Sequence, residues 1–396
     1  MTRKAGTGRR PHDHAAKSIE ARTRRVAVPR TSTPPLSGHV AVVAGATRGA
    51  GRGIARALGE AGAIVYCTGR SVRGNPSPYG RPETIEETAG LITSAGGTAI
   101  AVRVDHTVES EVEAFFGGIE REHGRLDVVV NCIAGEEPMM AQWNSFWKTN
   151  LKDGEAILRQ ALLSHIITAK HAVPLMIRRR RGLIVEVTEG DFLMAGGNPL
   201  TQAVKLALKG LAFNMAAELK PHGVASIAIV PGYLRSETML ERYGVTEANW
   251  RDAGKKNKNF LESESPLFIG RAIAALAQDN DILERSGQLH SSWEVGREYG
   301  LTDADGRRPD WGALDIDFSQ LPPTLLDYMR TGAEIQRVWL DAVSKRTKRF
   351  LGQLPAVNTT RTTKSTKYTK RTKNADRTVT GVQENRRFRF AETEQL

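Results

Sequence analysis

Gly45, Gly49 and Gly51 stand between a short apolar run, Ala41-Val42-Val43-Ala44, and a helical pattern that puts Ile54, Ala55, Leu58 and Ala61 on one face. Glycines so placed let a backbone turn tightly and come close to a pyrophosphate. The N–H groups and positive dipole end of the following helix would hold that phosphate. A glycine run alone is a weak signal; the strand before it and the helix after it strengthen it. Thr47, Arg48 and Ala50 belong to the same loop. A second apolar run, Ala63 to Gly69, ends at Arg70. Folds that prefer NAD place an acid near this point to accept hydrogen bonds from the ribose 2′-hydroxyl. Here a guanidinium stands instead, and charge and forked donors favour a 2′-phosphate. These residues point to NADP(H) as cofactor. The plainer alternative is that one or both arginines are solvated surface residues.

The elements that must position this loop can be read from periodicity. Strands are expected at 41–44, 63–69, 98–104, 128–133, 183–187, 225–230 and 288–291, with helices between them over 85–94, around 112–119, 162–178, 200–219 and 268–276. The strands are near-continuous Val/Ile runs, as when helices cover both faces of a parallel sheet. The expected fold is α/β, a Rossmann-type doubly wound parallel sheet in a single domain. Ligands in such sheets bind at the carboxyl ends of the strands. The glycine loop, Arg70, Asp105, Asn131, Thr188 and Pro231 all fall at such ends, which lets them form one site.

The chain has 396 residues and a formal charge of +12. Residues 1–38 carry +7 and residues 353–396 carry +6, which leaves the body near neutral at −1. A basic nucleic-acid groove on the body is therefore unsupported. Both ends are too poor in large apolar residues to offset their ordering entropy. We divide the chain into a disordered basic extension (1–36), the Rossmann-type domain (37–300), a helical extension or lid (301–352) and a disordered basic tail (353–396). The extension is expected to pack because Val338, Leu340, Val343 and Phe350 need cover. The two ends read as solvated arms, or as salt-sensitive contacts to anionic surfaces or nucleic acid. The first also has the Arg-rich, acid-poor composition of an organelle transit peptide. No apolar stretch is long enough for a membrane span. The two cysteines, Cys67 and Cys132, end interior strands and form no CxxC, which suits a reducing, cytoplasmic setting. His165 and His171 lie six apart on a helix, which does not pair them on a metal, and none is assigned.

Together these motifs resemble the short-chain dehydrogenase/reductase family over roughly residues 37 to 300. Ala44 through Gly51 is similar to the family's TGxxxGxG, with Ala44 for the threonine. Asp105 matches the aspartate that holds the adenine. Asn131-Cys132-Ile133-Ala134-Gly135 is a loose version of the NNAG turn beneath the nicotinamide. Pro231-Gly232 matches the PG after the sixth strand, and Ser236 falls near the family's cofactor-contacting threonine. The glycine-rich stretch from Gly300 to Asp310, with Trp311, suggests a longer-tailed member. The resemblance implies a carbonyl or alcohol substrate and a homo-oligomer formed through the long helices.

One departure bears on the chemistry. The family uses YxxxK with a serine thirteen residues before the tyrosine. Lys205 fits the lysine, but Thr201 stands at the tyrosine position and Thr188 at the serine position. The family's helix asparagine aligns near Ala161. Hydride transfer to a carbonyl needs a proton at oxygen, and an alkyl hydroxyl is a far weaker acid than a phenol of pKa about 10. Three rescues are open: Lys205 itself, Tyr233 after Pro231-Gly232, and a carboxylic acid at Glu189 or Asp191. Three functions follow: an NADP(H)-dependent oxidoreductase using Thr188, Thr201 and Lys205, a cofactor-binding protein without turnover, or an interaction protein acting through its basic arms. Met139, Met140, Trp143, Phe146, Trp147 and Phe192 suit a hydrophobic substrate, or are simply lid and core.

Overall fold

The computed structural model describes residues 33–76, 80–134, 146–148, 150–190, 199–314, 323–351 and 353. Its centre is one parallel sheet of seven strands in the order β3-β2-β1-β4-β5-β6-β7. The strands are β1 Val40–Ala44, β2 Ile64–Gly69, β3 Thr98–Arg103, β4 Val128–Asn131, β5 Gly182–Val187, β6 Val224–Val230 and β7 Leu289–Ser291. Each lies within a residue or two of its expected position. Chain order reverses across β1, which pairs with both β2 and β4; Val42 sits beside Tyr66 and Val129.

Side-chain alternation along the strands splits the core in two. Ala41, Val43, Val65 and Val130 face α1 (Gly49–Glu60), α2 (Ile85–Ser94) and a later helix, Pro266–Gln278. Val40, Val42, Tyr66 and Val129 face α3 (Glu109–His123) and the helix Ser164–Arg179. The expected helix over 162–178 has a more elaborate start. A helix α4 (Leu151–Leu158) runs into one π turn, Arg159–Leu163, and only then into α5, Ser164–Arg179. Ala161 lies buried in that wider turn. The remaining helices are α6 (Pro199–Leu219), α7 (Glu237–Tyr243), α8 (Pro266–Gln278), α9 (Ser292–Tyr299) and α10 (Pro323–Leu351). Residues to Asp341 form one compact unit and those from Ala342 a second.

After Gly300 the chain first packs against the body: Leu301 lies against the core and Asp303 is buried. Val338, Leu340, Val343 and Phe350 of α10 are exposed, and the cover expected for them is not found among the described residues. The basic segments 1–32 and 354–396, and the hydrophobic candidates Met139, Met140, Trp143, Phe192 and the side chain of Phe146, lie outside the described residues. Among the described residues no helix is long and apolar enough to cross a membrane, and no His/Cys/Asp/Glu cluster could hold a metal.

The helix carrying the glycine loop is held by a crossing with α8. A Cβ on Gly53 would stand 1.9 Å from the Pro266 carbonyl oxygen, and one on Gly270 would stand 2.4 Å from that of Gly53. Backbone meets backbone here, so a methyl group can fit only if α1 shifts. Gly53→Ala is expected to destabilise the fold by about 1–3 kcal/mol, the usual range for overpacking. A urea midpoint that falls with unchanged slope would show it; an unchanged midpoint would contradict the tight crossing.

Candidate active site

The loop after β1 closes on the turn after β4. Gly45 has a φ of +87°, open to glycine at little cost, and a Cβ there would lie 2.5 Å from the Cys132 carbonyl oxygen. A Cβ on Gly51 would lie 2.0 Å from the Gly45 carbonyl oxygen. The loop is pinned from outside. Gly45 and Ala46 N–H both donate to the Thr68 carbonyl at 3.0 Å. Thr88 Oγ1 donates to the Ala46 carbonyl at 2.8 Å, and Arg52 Nε to that of Thr47 at 3.1 Å. Thr47 is buried in the loop, and Ala50 lies in the first turn of α1.

Arg48, the residue before α1, makes no side-chain cap, and the first turn has no acid. Gly49 N–H instead donates to Glu237 Oε2 at 2.8 Å, from α7. The Arg52 guanidinium lies 3.6 Å from the other Glu237 oxygen. An anionic oxygen is thus seated at the helix N-terminus, the donor set a phosphate would use. The close-packed glycines keep side chains out of the loop itself, and a pyrophosphate would take the place that the Glu237 carboxylate holds on Gly49 N–H.

Arg70 follows β2, with its guanidinium 3.9 Å from Asp105 Oδ2 after β3. Asp105 Oδ1 accepts from Thr107 N–H at 2.9 Å and from its hydroxyl at 2.7 Å. Burial opposes ionisation of Asp105, but those two bonds and Arg70 hold its carboxyl below the usual range.

Asn131 points away from the loop. Its Nδ2 donates to Glu186 Oε1 at 2.8 Å, and its Oδ1 has no hydrogen-bond partner among the described residues. Glu186 Oε2 lies 2.5 Å from His165 Nδ1, and His165 Nε2 lies 3.0 Å from the Ile133 carbonyl, to which it can only donate. Beside this cluster His106 sits with its ring nitrogens 2.8 Å from the hydroxyls of Thr68 and Thr168. Burial pushes His106 down to about 3. Sequence reading missed Glu186 and His106. A charged residue inside the run Leu183-Ile184-Val185-Glu186-Val187 was the available signal for the first.

Thr188 and Lys205 come together. Thr188 Oγ1 donates to the Lys205 carbonyl at 3.0 Å, and Lys205 Nζ lies 3.7 Å from Glu189 Oε1. Thr201 is buried on the same helix. Tyr233 is directed elsewhere: its hydroxyl lies 2.8 Å from that of Tyr243, and its ring packs edge-on against Phe260 and Trp311. Burial, then the Tyr243 contact, raises its pKa well above that of a free phenol. Asp191 lies outside the described residues. Cys67 is buried and its thiol is pushed up to about 12, while Cys132 is only half-buried.

The Pro231-Gly232 turn rests on a buried acid. Gly232 N–H donates to Glu264 Oε2 at 3.0 Å, and Ser292 Oγ donates to the same oxygen at 2.5 Å. Glu264 Oε1 has no hydrogen-bond partner among the described residues. Burial pushes Glu264 from 4.5 up to about 8, against the two hydrogen bonds. The folded chain therefore holds this proton more tightly than the unfolded chain. That stability is fully present below pH 4.5 and is lost as pH rises through about 8. Glu264→Gln is expected to remove a loss on the order of a few kcal/mol between pH 5 and 9. Denaturant titrations at several pH values check it; an unchanged slope in the variant would contradict the assignment.

Comparison with known proteins agrees with this geometry. A family profile described as short chain dehydrogenase matches residues 39–244. The chain is 36% identical over 292 residues to the Mus musculus protein named dehydrogenase/reductase SDR family member 1, covering 72% of this chain and 90% of that one. The Homo sapiens protein of the same name is 35% identical over 277 residues, covering 69% and 85%. A solved 7 alpha-hydroxysteroid dehydrogenase, complexed with NADH and 7-oxo glycochenodeoxycholic acid, superposes with a TM-score of 0.53 at 20% identity, over 69% of this chain and 96% of that one. The chain belongs to the short-chain dehydrogenase/reductase family, whose members are oxidoreductases built on this sheet around a nicotinamide cofactor.

Proposed function

We propose that the protein is an NADP(H)-dependent oxidoreductase that interconverts a carbonyl compound and its alcohol. The observation that carries the cofactor choice is Arg70 at the end of β2, beside Asp105 and with no acid in its place. A 2′-phosphate there would meet a guanidinium; a bare 2′-hydroxyl would lack the carboxylate acceptor that NAD-selective folds supply. Gly45, Gly49 and Gly51, with the backbone of Thr47, Arg48 and Ala50, would hold the pyrophosphate. Asp105 would hold the adenine, and the turns at Asn131 and Pro231-Gly232 would flank the nicotinamide. When bound, the cofactor supplies or accepts a hydride at its nicotinamide ring. Lys205 would hold ribose hydroxyls and place a positive charge where oxyanion character develops.

The loss of the phenol favours a second reading, a cofactor-binding protein without turnover. Thr188 already directs its hydroxyl at the Lys205 carbonyl, and Thr201 is a poor acid. Assembly into a homo-oligomer is supported by apolar side chains left uncovered on neighbouring helices. Leu158 and Ile166 on α4 and α5, and Leu206 (45% exposed) and Phe213 (62% exposed) on α6, flank the packed residues Ile157, Ala161, Val204 and Leu208. A reducing, cytoplasmic setting remains the reading of the two free cysteines.

Fluorescence titration with NADPH and NADH tests the cofactor reading. NADPH is expected to bind at least about tenfold tighter, as for charge-assisted hydrogen bonds worth about 1.5–3 kcal/mol. Arg70→Ala should erase most of that preference; a protein that favours NADH would refute the reading. Light scattering tests assembly: an oligomer is expected, reduced to monomers by Phe213→Glu, and a monomeric wild type would contradict it.

A further inference from the structure

We infer that Glu189 and Lys205 form the proton-handling pair of this site, with Glu189 as the acid–base group that serves where the family has a phenol. This rests on the oxidoreductase reading above. Four described groups near the turn after β5 have partners of their own. Thr188 donates its hydroxyl hydrogen bond to the Lys205 carbonyl. Tyr233 is joined to Tyr243, which also accepts from Asn257 Nδ2 at 3.0 Å. Glu186, earlier on β5, is sealed against His165 and Asn131. Glu264, beneath Gly232, is buried against Ser292. Glu189 is different. It is half-exposed, at 52%, and its Oε1 lies 3.7 Å from Lys205 Nζ, whose side chain is 11% exposed. Gly190, with φ of +66°, turns the chain directly after it.

The pair satisfies the chemistry that Thr201 cannot. In the oxidising direction the substrate O–H bond breaks and its proton goes to a Glu189 carboxylate oxygen. The carbinol C–H bond breaks with its electron pair leaving as hydride to NADP+, and the C–O bond becomes C=O. In reduction, hydride from NADPH reaches the carbonyl carbon and the Glu189 carboxylic proton goes to the oxygen. Lys205 stays an ammonium throughout. It would steady the alkoxide. Exposure lets Glu189 exchange its proton with solvent. A carboxylate base is ready across neutral pH, whereas a phenol base gives an oxidation rate that climbs towards its pKa near 10. Lys205 from α6 faces Glu189. Glu186, Glu264 and Tyr233 on the neighbouring elements face their own buried partners.

The pair is tested first without cofactor. Acetic anhydride labelling of Lys205 at pH 8, read by mass spectrometry, should be about three- to tenfold faster in Glu189→Gln than in wild type, because the carboxylate no longer pairs with the amine. Equal rates would overturn the pairing. Turnover is then followed with 4-nitrobenzyl alcohol and NADP+, and with 4-nitrobenzaldehyde and NADPH. Glu189→Gln should lower kcat by about 10²-fold or more in both directions, with NADPH affinity within twofold of wild type. Glu189→Asp should keep more activity than Glu189→Gln. Wild-type oxidation should be flat from pH 7 to 9, and Thr201→Tyr in the Glu189→Gln background should restore turnover with a rate that rises with pH. A Glu189→Gln enzyme within threefold of wild type would overturn the inference, as would a wild type that binds NADPH and reduces no aldehyde. A wild type that binds no NADPH would instead sink the cofactor reading, and the titration distinguishes the two failures.

Discussion

The site depends on one steric constraint: at the point where strand order reverses, two stretches of backbone approach too closely for any side chain between them. Gly45 lies against the Cys132 carbonyl, and Gly51 lies against Gly45. This contact sets the height of the glycine loop above β1 and β4. It also aims the first turn of α1 outward, where Gly49 N–H already holds a carboxylate oxygen. Everything else arranges charge around that seat. Arg70 and Asp105 lie off one edge, and the Thr188, Glu189 and Lys205 group lies at the ends of β5 and α6.

Buried polar groups hold the surrounding turns in place. The turn after β4 is tied through Asn131, Glu186 and His165, and the turn after β6 through Glu264, Ser292 and Gly232. Removing one member of such a buried pair leaves its partner unsatisfied, which is costly in a low-dielectric interior. The turns flanking the site are therefore rigid for reasons seated beneath it. Glu189, by contrast, is half-exposed.

Much of this was legible in the residue order. Val/Ile runs located six of the strands, because a sheet covered on both faces demands them; the seventh, Leu289–Ser291, has neither residue and was placed by its position after the last apolar helix. The glycine loop, Arg70 and Asp105 were readable because strand ends and helix starts place them locally. The missing pieces depend on partners far apart in the chain. Glu237 reaches Gly49 across 188 residues, and Asn131 reaches Glu186 across 55. Helices α7 and α9 escaped because each is short and polar and depends on a serine cap, Ser236 or Ser291, more than on an apolar stripe. The π turn around Ala161 has no sequence mark at all. Tyr233 looked available by position, and only its packing against Tyr243 and Phe260 directs it elsewhere.

The central claim is that the seat beyond β1 and β2 reads a 2′-phosphate. Its most direct test is a calorimetric titration with 2′,5′-ADP and AMP, which differ only in that group. The account requires 2′,5′-ADP to bind at least about tenfold tighter, from the charge-assisted contacts of Arg70. Equal affinities, or tighter binding of AMP, would contradict it.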